Sequence, residues 1–197
     1  KESRFLNMEA NEVFERIYRE NLWSNPESRS GPGSTRVQAL AIAPDFRKIL
    51  DQLEIRTILD APCGDFNWMS TMDISGIGYT GIDIVSPLIR ENERSYSQPG
   101  INFLMKDLTR DPLPCADLIL NRDCLVHFSY RDIGRALKNM ISSQSRYMMT
   151  TTFPAQGVNY DITTGDWRAL NLEIHPFYFP KPVAFVIESV DKKFEKW

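Results

Sequence analysis

The chain has 197 residues, 42% of them hydrophobic, enough to bury one sizeable core and short for two full domains. A formal charge of -3 leaves Lys and Arg scattered rather than gathered on one basic face, which disfavours nucleic acid as a partner. Cys63, Cys115 and Cys124 show no CxxC spacing and stand beside only two histidines, which argues against a disulfide framework or a metal site.

From Ala10, the apolar residues Val13, Phe14 and Ile17 fall at helical spacing, and the pattern stops near Asn21. The turn-rich stretch WSNPESRSGPGST follows. A second helical region is expected from about Val37 to Leu53, broken or restarted at Pro44, with Phe46, Ile49, Leu50 and Leu53 on its later apolar face. Four short apolar runs come next, near 56–61, 78–85, 101–105 and 116–121, and they read as strands buried on both faces. The segment SPLIRENERSY between the second and third reads as a solvated helix. After the fourth run, YRDIGRALKNMISS carries one apolar stripe of Ile133, Leu137, Met140 and Ile141, and a fifth strand is expected near 146–153. Strands alternating with helices imply an α/β fold with a doubly wound, mostly parallel sheet and an N-terminal helical segment. Beyond Phe153 the pattern loosens into polar and aromatic loops, and an amphipathic stretch runs to Trp197. No apolar run approaches the roughly 18 residues of a membrane span and no charged-then-apolar leader is read, so the expectation is a cytoplasmic protein with no membrane partner.

The most informative stretch is TILDAPCGDFNWM, in which an apolar strand ends at Asp60 and runs through Pro62, Cys63, Gly64 and Asp65 toward an expected helix. In open parallel sheets, ligands bind beyond the carboxyl ends of the strands. Gly64 lets the backbone approach closely where a Cβ would clash. Asp60 and Asp65 would repel a pyrophosphate and attract the cationic aminoacyl end of S-adenosylmethionine. Asp83, followed by Ile84, ends the next strand and suits a carboxylate accepting both hydroxyls of a ribose. Asp107 follows the third strand, placed to accept from an adenine amino group while Leu108 donates its backbone N–H. Three strand-end carboxylates in register form a pattern that single motifs do not.

On these residues, roughly 56–153, the chain resembles a class I, Rossmann-like S-adenosylmethionine-dependent methyltransferase, and small bacterial members in particular. The resemblance implies a seven-stranded sheet with the last strand antiparallel, S-adenosylmethionine as cofactor, and contacts from Asn121 and Arg122 after the fourth strand. Pro62 and Cys63 depart from it, standing where many relatives have a second glycine. The segment ESRSGPGS resembles one that in some small bacterial members precedes the first strand and folds over the cofactor, which brings Trp23 and Ser34 to the site. The organisation expected is then a single domain over 1–197, with N-terminal helices and a covering loop in 1–55, the cofactor-binding core in 56–153, and substrate-side loops and last strands in 154–197.

Plainer readings compete at several positions. Asp83 is also a good helix N-cap, and Trp23 with Ser30 to Ser34 also reads as a surface loop. The run HPFYFP at 175–180 reads as core or sheet edge before it reads as a substrate cage, and Cys63 and Cys124 as small packing residues. His127, in NRDCLVHFS after the fourth strand, is the sharpest catalytic residue: at an ordinary pKa near ~6.5, imidazole deprotonates a hydroxyl acceptor at neutral pH. Asp123 has the same claim to orient the acceptor or hold His127, and both are equally read as supports for the following helix.

The function expected is methyl transfer to a small molecule, with an oxygen acceptor on a sugar or metabolite preferred over nitrogen. That preference rests on Asn121 being followed by Arg-Asp-Cys, where methyltransferases of base amino groups commonly carry an Asn/Asp-Pro-Pro-aromatic tetrad. Alternatives are a methyltransferase of protein or nucleic acid, a non-catalytic S-adenosylmethionine-binding module, and a nicotinamide-dependent oxidoreductase. The last should show G-x-G-x-x-G where only Gly64 stands.

Overall fold

A computed structural model describes residues 3–188. The stretch to Trp197 that reads as amphipathic extends beyond them. Helix α1 (Ala10–Glu20) opens on a reciprocal capping box between Glu9 and Glu12, closes on Asn21 in the left-handed conformation, and buries Val13 and Ile17. Helix α2 (Arg36–Gln52) is continuous through Pro44, contrary to the expected break. Pro44 lies on the exposed face, where Leu40, whose carbonyl loses its partner, is itself 70% exposed, leaving that carbonyl within reach of solvent.

Strands β1 (Thr57–Asp60), β2 (Gly78–Asp83), β3 (Ile101–Met105), β4 (Leu118–Asn121) and β5 (Tyr147–Thr150) form one sheet in the order β3-β2-β1-β4-β5, every pairing parallel. Helices α3 (Ser86–Tyr96) and α4 (Tyr130–Ser142) complete the alternation. Apolar clusters lie on both faces: α2 and α3 pack on one, α4 and the chain after Phe153 on the other. The sheet is the open, doubly wound one expected from the alternation.

Three local expectations are corrected. Only the central strands are buried on both faces; β3 is an edge strand with Met105 60% exposed, and β5 is half-buried throughout. No α-helix follows Asp65, only a short 3-10 turn, Met69–Thr71. Ser70 and Thr71 bond back to the carbonyls of Asn67 and Trp68 at 2.7 Å, competing with helical bonding. Phe66 fills the space instead, its ring 5.0–5.2 Å from those of Tyr79, Tyr96 and Phe103. On α4 the buried stripe is Ile133, Ala136 and Met140, whereas Ile141 is 78% exposed.

The described residues form five parallel strands, and the seven-stranded sheet with an antiparallel last strand that the resemblance implies reaches into residues 189–197, outside them. Beyond β5, Pro154, Pro176, Pro180 and Pro182 lack the N–H a ladder needs. Side-chain amides satisfy the backbone there instead. Asn171 Nδ2 donates to the carbonyls of Pro154 and Gln156 at 3.2 and 3.0 Å, and Asn159 Nδ2 to those of Asn171 and His175 at 2.7 and 2.9 Å.

The burial pattern sets two opposite outcomes for the same kind of truncation. Leu120→Ala, at a central strand position 2% exposed, is expected to lower unfolding free energy by about 2–5 kcal/mol. Ile141→Ala is expected to change it by less than about 0.5 kcal/mol. Urea denaturation of both variants checks this.

Candidate active site

The sheet register determines which strand-end carboxylates reach solvent. Asp60 pairs with Gly81, so Asp83 stands two residues further out on β2; Met105 pairs with Asp83, so Asp107 stands two residues further still. At about 3.3 Å per residue the three step outward by roughly 7 Å each rather than lying level. Asp60 is consequently 1% exposed beneath the site, accepting from Tyr79 Oη at 2.6 Å. Asp83 and Asp107 reach a cleft above the strand ends that encloses about 970 Å³, open mouth included.

The loop after β1 is held on both sides. Ala61 N–H donates to Leu120 and Cys63 N–H to Ile82, each at 2.8 Å. Gly81 makes the room, because a Cβ there would sit 2.9 Å from Cys63 Cβ and from Phe103. Asp83 accepts from Gly64 N–H at 3.2 Å and Val85 N–H at 2.9 Å, while Asn92 from α3 donates to the Gly64 carbonyl at 2.8 Å. Gly64 is left-handed, with φ 55°, and the atom crowding its missing Cβ is Ser30 Oγ, 2.2 Å away. The close approach that the glycine permits is made by the protein's own loop.

That loop, residues 23–35, straps across the cleft. Asp65 accepts from Ser28 Oγ at 2.9 Å and Arg29 N–H at 2.7 Å, and its own N–H donates to Ser30 Oγ at 2.9 Å. Glu27 accepts from Arg36 N–H and Asn67 Nδ2, and Arg122 Nη2 donates to the Gly33 carbonyl at 2.7 Å. Trp23, Arg29, Ser30 and Ser34 thereby join the wall.

Of the residues singled out from sequence, the cleft wall gathers Trp23, Ser34, Pro62, Gly64, Asp83, Ile84, Asp107, Leu108, Arg122, Asp123 and His127. Asp60, Asp65 and Asn121 are not in it. Asp65 faces the strap, and Asn121 is fully buried, donating to the Ala61 carbonyl and accepting from Thr150 Oγ1 at 3.1 Å. Sequence reasoning missed the α1 face, where Phe14, Ile17 and Tyr18 close the cleft, and it missed Trp68 and Lys106. The helical periodicity of α1 signalled a buried stripe without naming what it covers.

At the β4 end, Arg122 is nearly buried, paired with Glu188 and stacked over the Trp68 ring at 4.8 Å. Asp123 adopts φ 51°, and Gly33 allows the strap to approach it, since a Cβ would lie 2.5 Å from Asp123 Oδ2. His127 ends a 3-10 turn, Leu125–His127; its Nδ1 lies 2.9 Å from the Asp166 carbonyl and its ring 5.1 Å from that of Trp23. A carbonyl only accepts, so Nδ1 carries the hydrogen and the basic lone pair resides on Nε2.

No family model and no curated protein matches the chain. Solved structures do. A Burkholderia thailandensis 1,6-didemethyltoxoflavin-N1-methyltransferase, with 1,6-didemethyltoxoflavin and S-adenosylhomocysteine bound, matches at 16% identity and TM-score 0.56, covering 82% of this chain and 70% of that one. Human N-acetylserotonin methyltransferase in complex with SAM matches at 18% and 0.53, covering 74% and 42%. Synechocystis magnesium protoporphyrin IX methyltransferase, with SAH bound, matches at 12% and 0.53, covering 76% and 74%. This chain thus spans less than half of the human protein's length. The likeness establishes the fold, the Rossmann-like α/β architecture that these methyltransferases share.

Burial sets the electrostatics. It raises Asp60 to about 7, against the hydrogen bond from Tyr79 and the charge of Arg122, and raises Asp83 to about 6, against the N–H donors of Val85 and Gly64. Both carboxyls hold protons more tightly folded than unfolded, so their contribution to stability is full below the ordinary 3.8 and is lost as pH rises through about 6 and about 7. Unfolding free energy is therefore expected to lose on the order of 5 kcal/mol from these two groups together between about pH 4 and pH 8. Asp60→Asn should flatten that dependence, as measured by urea denaturation across the range.

Proposed function

We propose that the protein binds S-adenosylmethionine in the cleft and transfers its methyl group to a hydroxyl of a small molecule, a sugar or related metabolite. The observation that carries the reading is Asp83: a buried carboxylate in the wall, held by two backbone N–H groups that do not offset its desolvation. Such a group fits a ligand that offers it hydroxyl donors, and the nearby walls of Ile84, Val85, Leu88 and Leu108 fit a flat apolar ring. Asp107, two residues further out beside Lys106, serves the ring's polar edge. Bound there, the cofactor supplies a methyl carbon activated by a sulfonium.

The protein's own work is positioning, exclusion of water and one proton transfer. The strap and the α1 face cover the cleft, with Trp23 and Phe14 beside His127 and Phe128. S-adenosylmethionine held there would supply the methyl carbon and keep the electron pair of the broken bond on its sulfur, and His127 would take the hydroxyl proton on Nε2 as the acceptor oxygen gains the methyl. Asp123 orients the acceptor. The three structural neighbours, whose names specify small-molecule acceptors or bound S-adenosyl compounds, support the cofactor and the size of the acceptor but not the choice of oxygen, since one of them is named for transfer to N1.

Two measurements test the two halves separately. S-adenosylhomocysteine at ~100 times its Kd should add about 2.7 kcal/mol and raise Tm by about 5–10 °C, whereas NAD should not. Asp83→Ala should remove most of that shift. A shift with NAD alone removes the cofactor assignment. His127→Ala should leave cofactor affinity within about threefold and lower turnover by about 10²–10⁴-fold on a hydroxyl acceptor; full turnover in the variant makes His127 structural.

A further inference from the structure

Arg168 is the largest fully buried side chain described, and no ion pair among the described residues neutralises it. Its guanidinium lies 5.7 Å from the centre of the Tyr130 ring, and all its hydrogen bonds go to carbonyls. Nη1 donates to Leu125 and Val126 at 2.9 Å, Nη2 to Phe128 at 2.8 Å and Nε to Tyr160 at 3.2 Å. Desolvation lowers its pKa, outweighing the opposing influence of Tyr130, Asp161 and Tyr160 nearby. An apolar residue would fill this space without the desolvation penalty, so the guanidinium's fixed fork of donors calls for a reason.

Three of the four carbonyls belong to the short 3-10 turn that carries His127 and to the residue after it. Backbone bonds complete the set: Gly165 N–H donates to the His127 carbonyl at 2.8 Å and Arg168 N–H to Val126 at 3.1 Å. Every carbonyl from Leu125 to Phe128 is thus engaged by residues 165–168. A single 3-10 turn has poor internal hydrogen bonding and does not hold its shape alone. The clamping segment is itself fixed from the other side. Thr164 Oγ1 donates to Asp132 at 2.6 Å, and left-handed Gly165 is wedged so that a Cβ would lie 2.4 Å from Val13. The same segment supplies the Asp166 carbonyl to His127 Nδ1.

We propose that Arg168 is a positioning residue: by gripping the 125–128 turn it keeps His127 Nδ1 on the Asp166 carbonyl, which fixes the imidazole in the tautomer with its basic lone pair on Nε2. The proposal rests on the reading of His127 as the base, but its test does not depend on that reading.

The chain has two histidines, so long-range proton–nitrogen correlation of imidazole-labelled protein resolves both, with His175→Gln assigning the second. Wild type should show His127 as a single Nδ1–H tautomer. Arg168→Lys keeps the charge without the fork, and Arg168→Met keeps neither; each should move His127 toward the Nε2–H form that free imidazole favours. Cofactor affinity should stay within about threefold while kcat falls at least tenfold. A wild-type Nε2–H pattern, or a folded Arg168→Lys with the Nδ1–H pattern intact, overturns the proposal. If neither variant folds, native-state hydrogen exchange of the wild type decides. The Arg168 Nε and His127 Nδ1 protons should exchange through one common opening, and a freely exchanging His127 beside a protected Arg168 overturns it. The tautomer is read without an acceptor, so a failed methyl-transfer assay leaves this result standing and counts only against the function.

Discussion

The bond between the Asp83 carboxylate and the Gly64 N–H joins the end of β2 to the loop after β1, and the cleft takes its form from that junction. A parallel sheet leaves its strand-end loops to find partners beyond the ladder, and here Asp83 and Asn92 between them satisfy both backbone groups of Gly64. Holding Gly64 left-handed turns the chain at the point where Ser30 can dock. What remains is a desolvated carboxylate with its charge only partly compensated.

Around this junction the N-terminal strap works as a second layer. Its contacts are mostly to the loops after β1 and β4: Asp65 holds Ser28, Arg29 and Ser30, and Arg122 holds Gly33. Small residues permit the approach at both points, since side chains at Gly64 and Gly33 would collide with Ser30 and Asp123. The strap's Ser, Gly and Pro content suits a turn-rich segment that takes its shape from partners elsewhere in the chain.

The side of the cleft that carries His127 is organised differently. Its residues lie on a short turn with little intrinsic stability, and the chain after β5, which forms no described strand, supplies the support through side-chain and backbone donors. An irregular segment without a ladder of its own has donors and acceptors to spare: Arg168 and Gly165 donate to the turn, and the carbonyl of Asp166 accepts from His127 Nδ1.

The sequence by itself determined the order and kind of the regular elements, because periodicity and breakers are local signals. The spacing of Val13 and Ile17, the apolar runs before Asp60 and Asp83, and the stripe through Ile133 and Met140 all became elements of the expected type. It also placed carboxylates at three strand ends. Local signals misled where side chains compete with the backbone, as at Ser70 and Thr71, or where the exposed face tolerates a missing bond, as at Pro44. Which carboxylate faces the cleft was a tertiary matter. Asp60 and Asp83 are alike as strand-end residues, but pairing of Asp60 with Gly81 sinks one beneath the site and lifts the other to its rim. Asp65 lies beside Gly64 in the chain yet is consumed by a strap some 35 residues earlier. Only the fold decided these roles, since register and docking are set by contacts between segments whose separation no local period encodes.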